Sequence, residues 1–127
     1  MNTPPIRSRT VAVVEDDLAM LAGLKRMLAA FGYASETYAS AEEFLVRSVE
    51  PGVACLVVDI NLPGMSGIEL CRRLTADGQR LPVVFITARD DDTTHREAAA
   101  VGYVAYLRKP FVGQTLVEAI ERAGASR

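Results

Sequence analysis

Five short strand-like runs, four of them apolar, alternate along this chain with stretches whose apolar residues recur at helical spacing. The runs are Thr10–Val14, Ala34–Tyr38, Ala54–Asp59, Pro82–Thr87 and Tyr103–Leu107. The second is weakest and Ala54–Asp59 is strongest. A run of this kind without polar alternation reads as a strand buried on both faces. Burying both faces requires a covering layer on each side. Strict alternation of strand and helix therefore predicts an α/β fold: a doubly wound, five-stranded parallel sheet with helices on both faces. The 127 residues suggest one domain, 1–127, with its core at about 10–123. Ligands in such folds bind beyond the carboxyl ends of the strands, where the strand order reverses.

The intervening helices carry their own punctuation. Leu21, Leu24, Leu28 and Phe31 share helical spacing, and Gly32 stops that helix. Ser40-Ala41-Glu42-Glu43 fits a capping box and opens a short helix through about Ser48, before a turn at Pro51-Gly52. Ser66-Gly67-Ile68-Glu69 is a second box. It opens a helix with Ile68, Cys71 and Leu74 inward, ending near Gly78. Thr93–Val101 reads as an Ala-rich helix stopped by Gly102. Leu116, Val117 and Ile120 mark a last helix that frays at Gly124.

The strand ends are polar where the strands are not. Glu15 and Asp16 follow the first, Asp59 ends the third, Thr87 ends the fourth and Lys109 follows the fifth. Singly, each has an ordinary reading: a cap or turn former, a β-favouring Thr, a solvated lysine. Together they converge on one sheet edge. Three carboxylates cannot share a small site ionised without a counter-charge. A hard divalent cation answers this, and Mg²⁺ takes one or two carboxylates plus phosphate oxygens. A carboxylate beside a cation, a hydroxyl and an ammonium suits attack on phosphorus, giving an acyl phosphate. Mg²⁺, the Thr87 hydroxyl and Lys109 could each hold one phosphoryl oxygen.

Other classes are disfavoured. The formal net charge is −2, which gives no electrostatic case for binding nucleic acid or a membrane surface. No P-loop or GxGxxG follows a strand. No apolar run approaches ~18 residues and Met1–Arg9 lacks an apolar signal core, so a cytoplasmic protein is expected. Cys55 and Cys71 have no zinc spacing and read as small buried hydrophobes in a reducing compartment. His95 stands apart from any second His and reads as a surface histidine.

These residues resemble the receiver domain of two-component response regulators, from about Thr10 to Ala123. The matching motifs are Val13-Val14-Glu15-Asp16-Asp17, Val58-Asp59-Ile60-Asn61-Leu62-Pro63-Gly64-Met65-Ser66-Gly67, Phe85-Ile86-Thr87-Ala88 and Lys109-Pro110-Phe111. The segment Ser40-Ala41-Glu42-Glu43-Phe44-Leu45 further resembles receivers of the nitrogen-fixation (FixJ-like) transcription regulators.

The resemblance implies a flavodoxin-like strand order, 2-1-3-4-5. It implies that Asp59 accepts a phosphoryl group from a histidine kinase or a phosphotransfer protein. Asp16, Asp59 and the Asn61 backbone carbonyl would ligate Mg²⁺, with Glu15 reaching it through a water. Thr87 and Lys109 would hold the phosphoryl oxygens. Thr87 and Tyr106 would form the switch, acting on a partner-binding or dimerisation face made by the fourth helix, fifth strand and fifth helix. The Lys109–Pro110 bond resembles one that is cis in the family. Arg89 and Asn61 would tune the phosphoryl lifetime.

The chain also departs from the pattern. Glu15 stands where Asp is more usual, Tyr103 where a small residue is common, and Val112 where an Asp often caps the last helix. The loop Arg89-Asp90-Asp91-Asp92 is unusually acidic and reads as caps for the next helix. The Glu15 and Val112 departures keep open a receiver-like binding module that works without phosphorylation. A true phosphohydrolase is disfavoured, because Asn61 occupies the position where such enzymes carry an acid/base Asp. A self-modifying signalling domain, rather than an enzyme, is therefore expected. The chain ends at Arg127, so a free-standing receiver or a missing DNA-binding output domain is anticipated.

Overall fold

The structure is a computed structural model that describes residues 10–47 and 53–125. The expected end of the second helix at Ser48, the Pro51-Gly52 turn and the N-terminal segment lie outside the described residues. In chain order the elements are β1 (Thr10–Val14), α1 (Leu18–Ala30), β2 (Ala34–Tyr38), α2 (Ala41–Arg47), β3 (Val53–Asp59), α3 (Gly67–Ala76), β4 (Val83–Thr87), α4 (Asp92–Val101), β5 (Ala105–Arg108) and α5 (Gly113–Ala125). The strands pair in parallel, in the order β2-β1-β3-β4-β5.

Period-two alternation divides the strand side chains between two cores. Val11, Val13, Cys55, Val57, Val84 and Ile86 pack with α1 and α5. Ala12, Val14, Leu56, Val58, Val83 and Phe85 pack with α2, α3 and α4. The central run Cys55–Val58 is fully inaccessible. Burial of each large side chain there contributes about 1.5–3 kcal/mol, which is why this strand tolerates no polar residue before its end.

Local signals decide most boundaries. Asp17 caps α1 by accepting from the Met20 N–H, and Gly32 follows that helix at φ 92°. Phe31, expected with the apolar face of α1, is instead the C-cap residue and is exposed. Helix geometry ends just before it, so its side chain no longer follows the buried stripe. Ser40 Oγ accepts from Glu43 N–H (3.1 Å), while the Glu43 carboxylate accepts from Ala39 N–H (3.2 Å). Ser66 caps α3 through Glu69 N–H (3.1 Å), but Glu69 turns its carboxylate to Arg72 and Arg73.

Strand β5 starts two residues later than the apolar run suggests. Val104 N–H already bonds Val83 O (2.8 Å), and Tyr103 contributes its ring to packing against Phe85. In the acidic loop, Asp91 caps α4 through Thr94 N–H (2.8 Å). Val112 offers no capping oxygen at the start of α5, and only its carbonyl serves, accepting from Thr115 N–H (3.0 Å). The Lys109–Pro110 peptide is cis. Among the described residues, no helix is long and apolar enough to cross a membrane.

Candidate functional site

Parallel register sets the polar residues level at one edge. Val14 pairs with Val58, Asp59 with Ile86, and Thr87 with Arg108. Glu15 therefore leaves β1 beside Asp59, and Lys109 follows β5 one step beyond Thr87. The chain runs outward from β1 to β2 and then crosses back to β3, so the β1/β3 edge is the reversal point of the sheet.

Asp59 and Glu15 are nearly inaccessible, at 4% and 1%. Lys109 bridges them, its Nζ donating to Asp59 Oδ2 (2.6 Å) and Glu15 Oε1 (2.8 Å). The remaining carboxylate oxygens are also used. Asp59 Oδ1 accepts from Asn61 N–H (2.8 Å), and Glu15 Oε2 accepts from Asp17 N–H (3.1 Å). Thr87 Oγ1 lies 2.8 Å from both Asn61 Oδ1 and the Arg89 carbonyl, which compete for its single proton. Arg89 N–H donates back to the same oxygen (3.0 Å).

Burial raises the Glu15 pKa above its ordinary value, although Lys109 and the Asp17 N–H pull it down. For Lys109, burial works toward a lower value, but the hydrogen bonds and charges of Asp59 and Glu15 outweigh it and the pKa rises. For Glu15 burial prevails over the pull of Lys109, because a carboxylate 1% accessible has lost nearly all its water.

One oxygen from each of Glu15, Asp16 and Asp59 falls within 4.8 Å of the others. Three carboxylates against one ammonium leave two negative charges if all are ionised. An all-oxygen donor set of this charge fits a small hard divalent cation, held directly by some of these acids and through water by others. Asp16 sits exposed at the rim.

Three residues matter here beyond those singled out for chemistry. Gly67, at the first position of α3, lies so close to β3 that an added Cβ would collide with the Asp59 carbonyl oxygen. Its N–H also bonds Ile60 O (3.1 Å), which ties the loop closed behind Asp59. Glu42 reaches from α2 to accept from Met65 N–H (2.9 Å), and that bond lowers its pKa. A capping-box pattern signals Glu42 only as part of its own helix, and no local pattern reveals either long-range contact. His95 is exposed as expected, yet its ring packs against Tyr106 at 4.5 Å between centroids. Tyr106 itself is partly buried, with a fully buried hydroxyl.

A groove of ≈ 350 Å³ opens beside Lys109, lined mainly by Met20, Leu24, Met27, Pro110 and Phe111. The site and the groove share one end of the molecule.

Comparison with known proteins identifies the family. Residues 11–121 match the model of the response regulator receiver domain. The chain is 37% identical to the transcriptional regulatory protein FixJ of Rhizobium meliloti, over 90% of this chain and 56% of that protein. It is 31% identical to the response regulator protein TodT of Pseudomonas putida, over 92% of this chain and 52% of that protein. Thus it spans about half the length of these curated relatives. Among solved structures, FixJ-N superposes with a TM-score of 0.85 at 36% identity, covering 94% of this chain and 96% of that one. The response regulator StyR gives 0.83 at 42% identity, covering 92% and 59%. The chain belongs to the response regulator receiver domain family of two-component systems.

Proposed function

We propose that this chain is a phosphoacceptor switch. It would take a phosphoryl group onto Asp59 from a sensor histidine kinase or a histidine phosphotransfer protein. The observation that carries the reading is the buried Asp59 at the sheet's reversal point, paired with Lys109 and level with Glu15, Asp16 and Thr87. An Asp59 carboxylate oxygen attacks phosphorus. The donor's phosphorus–nitrogen bond breaks with its electron pair going to that ring nitrogen. Because the other ring nitrogen is protonated beforehand, the pair cancels the ring's positive charge and neutral imidazole departs, leaving an acyl phosphate on Asp59.

The chain's own residues position and neutralise. Lys109 already contacts Asp59 and can follow the added phosphoryl oxygens. Thr87 must give up its bonds to Asn61 and Arg89 to reach them. Its displacement would be felt at Tyr106 through the β4–β5 pairing, where Phe85 lies beside Tyr106. Asp16, Asp59 and the Asn61 backbone carbonyl would hold Mg²⁺, with Glu15 acting through water. When bound, the cation would offset negative charge on the phosphoryl group and the carboxylates.

The apolar groove beside Lys109 offers the donor protein a docking surface next to the acceptor. The output surface is the α4–β5–α5 face, which could bind a partner, a second copy or an attached output domain. Residues 1–127 would act as one receiver unit in the cytoplasm, modifying only itself rather than turning over an external substrate. Intact-mass measurement after incubation with Mg²⁺ and a small acyl-phosphate donor tests this. Wild type should gain one phosphoryl group and Asp59→Asn none. No gain, or equal gain by both, would reject the proposal and favour a phosphorylation-independent module.

A further inference from the structure

Beyond the site, α4 and β5 share an aromatic cluster that the phosphoryl chemistry does not use. Tyr106 lies in β5 opposite Phe85, and its hydroxyl is buried without a hydrogen-bond partner. The Asp90 carboxylate lies close enough to act on it by charge and as a weak hydrogen-bond acceptor, short of a bond of good geometry. Burial first, then the Asp90 and Asp91 carboxylates, push the tyrosine up to about 12. A buried hydroxyl without a partner is costly, and turning outward would return it to water. A contact on the ring would offset that cost and favour the inward position.

His95, on the exposed side of α4, supplies that contact. Its ring centroid is 4.5 Å from that of Tyr106, with planes tilted by 32°. Its Nε2 is 3.1 Å from the Tyr103 hydroxyl. Tyr103 in turn packs edge-on against Phe85 at 6.1 Å, and Phe85 is wholly inaccessible in the core. The imidazole is thus fixed to the sheet by one tyrosine while it covers the other.

We propose that His95 is a positioning residue that clasps the Tyr106 ring and holds the Tyr106 hydroxyl inside the protein. That Tyr106 is a switch rests on the phosphoacceptor reading, whereas the clasp itself does not. The stacking gained and the hydroxyl solvation lost are of similar size, so one ring contact can decide between inward and outward tyrosine.

The test is fluorine NMR of protein labelled with 3-fluorotyrosine, without phosphodonor. The chain has four tyrosines, and Tyr106→Phe assigns the relevant resonance. In His95→Ala the Tyr106 signal should move toward the solvent-exposed position, with the inward-to-outward ratio falling about 2- to 10-fold. His95→Phe keeps a ring over Tyr106 and should restore most of the wild-type signal. Tyr103→Phe loosens the imidazole without removing it and should give an intermediate shift. Thermal unfolding verifies that each variant is folded. An unchanged Tyr106 signal in His95→Ala, or no recovery in His95→Phe, overturns the proposal. Because no phosphodonor is present, this result stands or falls separately from the phosphorylation of Asp59.

Discussion

Gly67→Ala should destabilise the protein, against the sign that helix propensity gives. Gly67 is the first residue of α3, directly after the Ser66 cap. In a helix, Ala is better than Gly by up to about 1 kcal/mol. Here the added Cβ would collide with the Asp59 carbonyl oxygen and lie 3.0 Å from Val58 Cγ2 and 3.1 Å from the Asp59 carbonyl carbon. Two of those three atoms are backbone of β3, the central strand, which cannot swing aside like a side chain. Overpacking of this kind costs about 1–3 kcal/mol. Because backbone atoms cannot yield, the cost falls in the upper part of that range, about 2–3 kcal/mol, and subtracting the helix gain of about 1 kcal/mol leaves a net loss of about 1–2 kcal/mol. The assay is urea unfolding of wild type and variant, comparing midpoints at equal slope. Strain relieved by moving β3 would also displace Asp59, so the variant should take up phosphoryl groups more slowly. Equal or greater stability in Gly67→Ala would refute the close approach of α3 to Asp59.

Further outcomes follow from the same geometry. Burial raises the Glu15 pKa, so this group contributes stability below its ordinary value of 4.5 that is lost as pH rises through the raised value. Glu15→Gln should accordingly be more stable than wild type at pH 7 without divalent cations, with the gain vanishing below about pH 4.5; denaturant midpoints across pH check this, and a less stable variant at pH 7 contradicts it. Cys55 and Cys71 are both pushed by burial from 9.0 to about 12. Their contribution to stability should be intact below pH 9 and fall above it by about 1.4 kcal/mol per pH unit per thiol, until the folded thiols ionise. Native protein should resist iodoacetamide at pH 9 and react once unfolded in urea, whereas native labelling at the rate of a free thiol would argue against their burial. Ser66→Ala removes the cap on Glu69 N–H and should cost about 1 kcal/mol, lowering Tm by about 3–5 °C in calorimetry.

Much of the fold was legible because burial here is nearly binary. Val11–Val14, Cys55–Val58 and Val83–Ile86 admit no reading but strands covered on both faces. The polar residues at their ends then stand out against them. Asp59, Glu15, Asp16, Thr87 and Lys109 could be picked by that contrast alone, whereas Asn61 rested on motif resemblance. What stayed hidden was long-range geometry. Nothing local says that Lys109 bridges both Asp59 and Glu15, or that Thr87 is engaged by Asn61 and Arg89. Glu42 reads as a helix-start residue, and its bond to Met65 spans 23 positions. The start of β5 was misjudged because Tyr103 is as apolar as a strand residue but spends its ring on Phe85 and His95. Phe31 kept helical spacing past the point where the helix had ended.

The central claim is that Asp59, among the clustered acids, is the group that reacts. After incubation with Mg²⁺ and a small acyl-phosphate donor, peptide mass spectrometry with hydroxylamine treatment locates and identifies the bond. The account predicts one hydroxylamine-labile phosphoryl group on the peptide carrying Asp59, absent in Asp59→Asn and unaffected in position by Glu15→Gln. A label on a peptide from the 10–17 segment, or one that resists hydroxylamine, would contradict it.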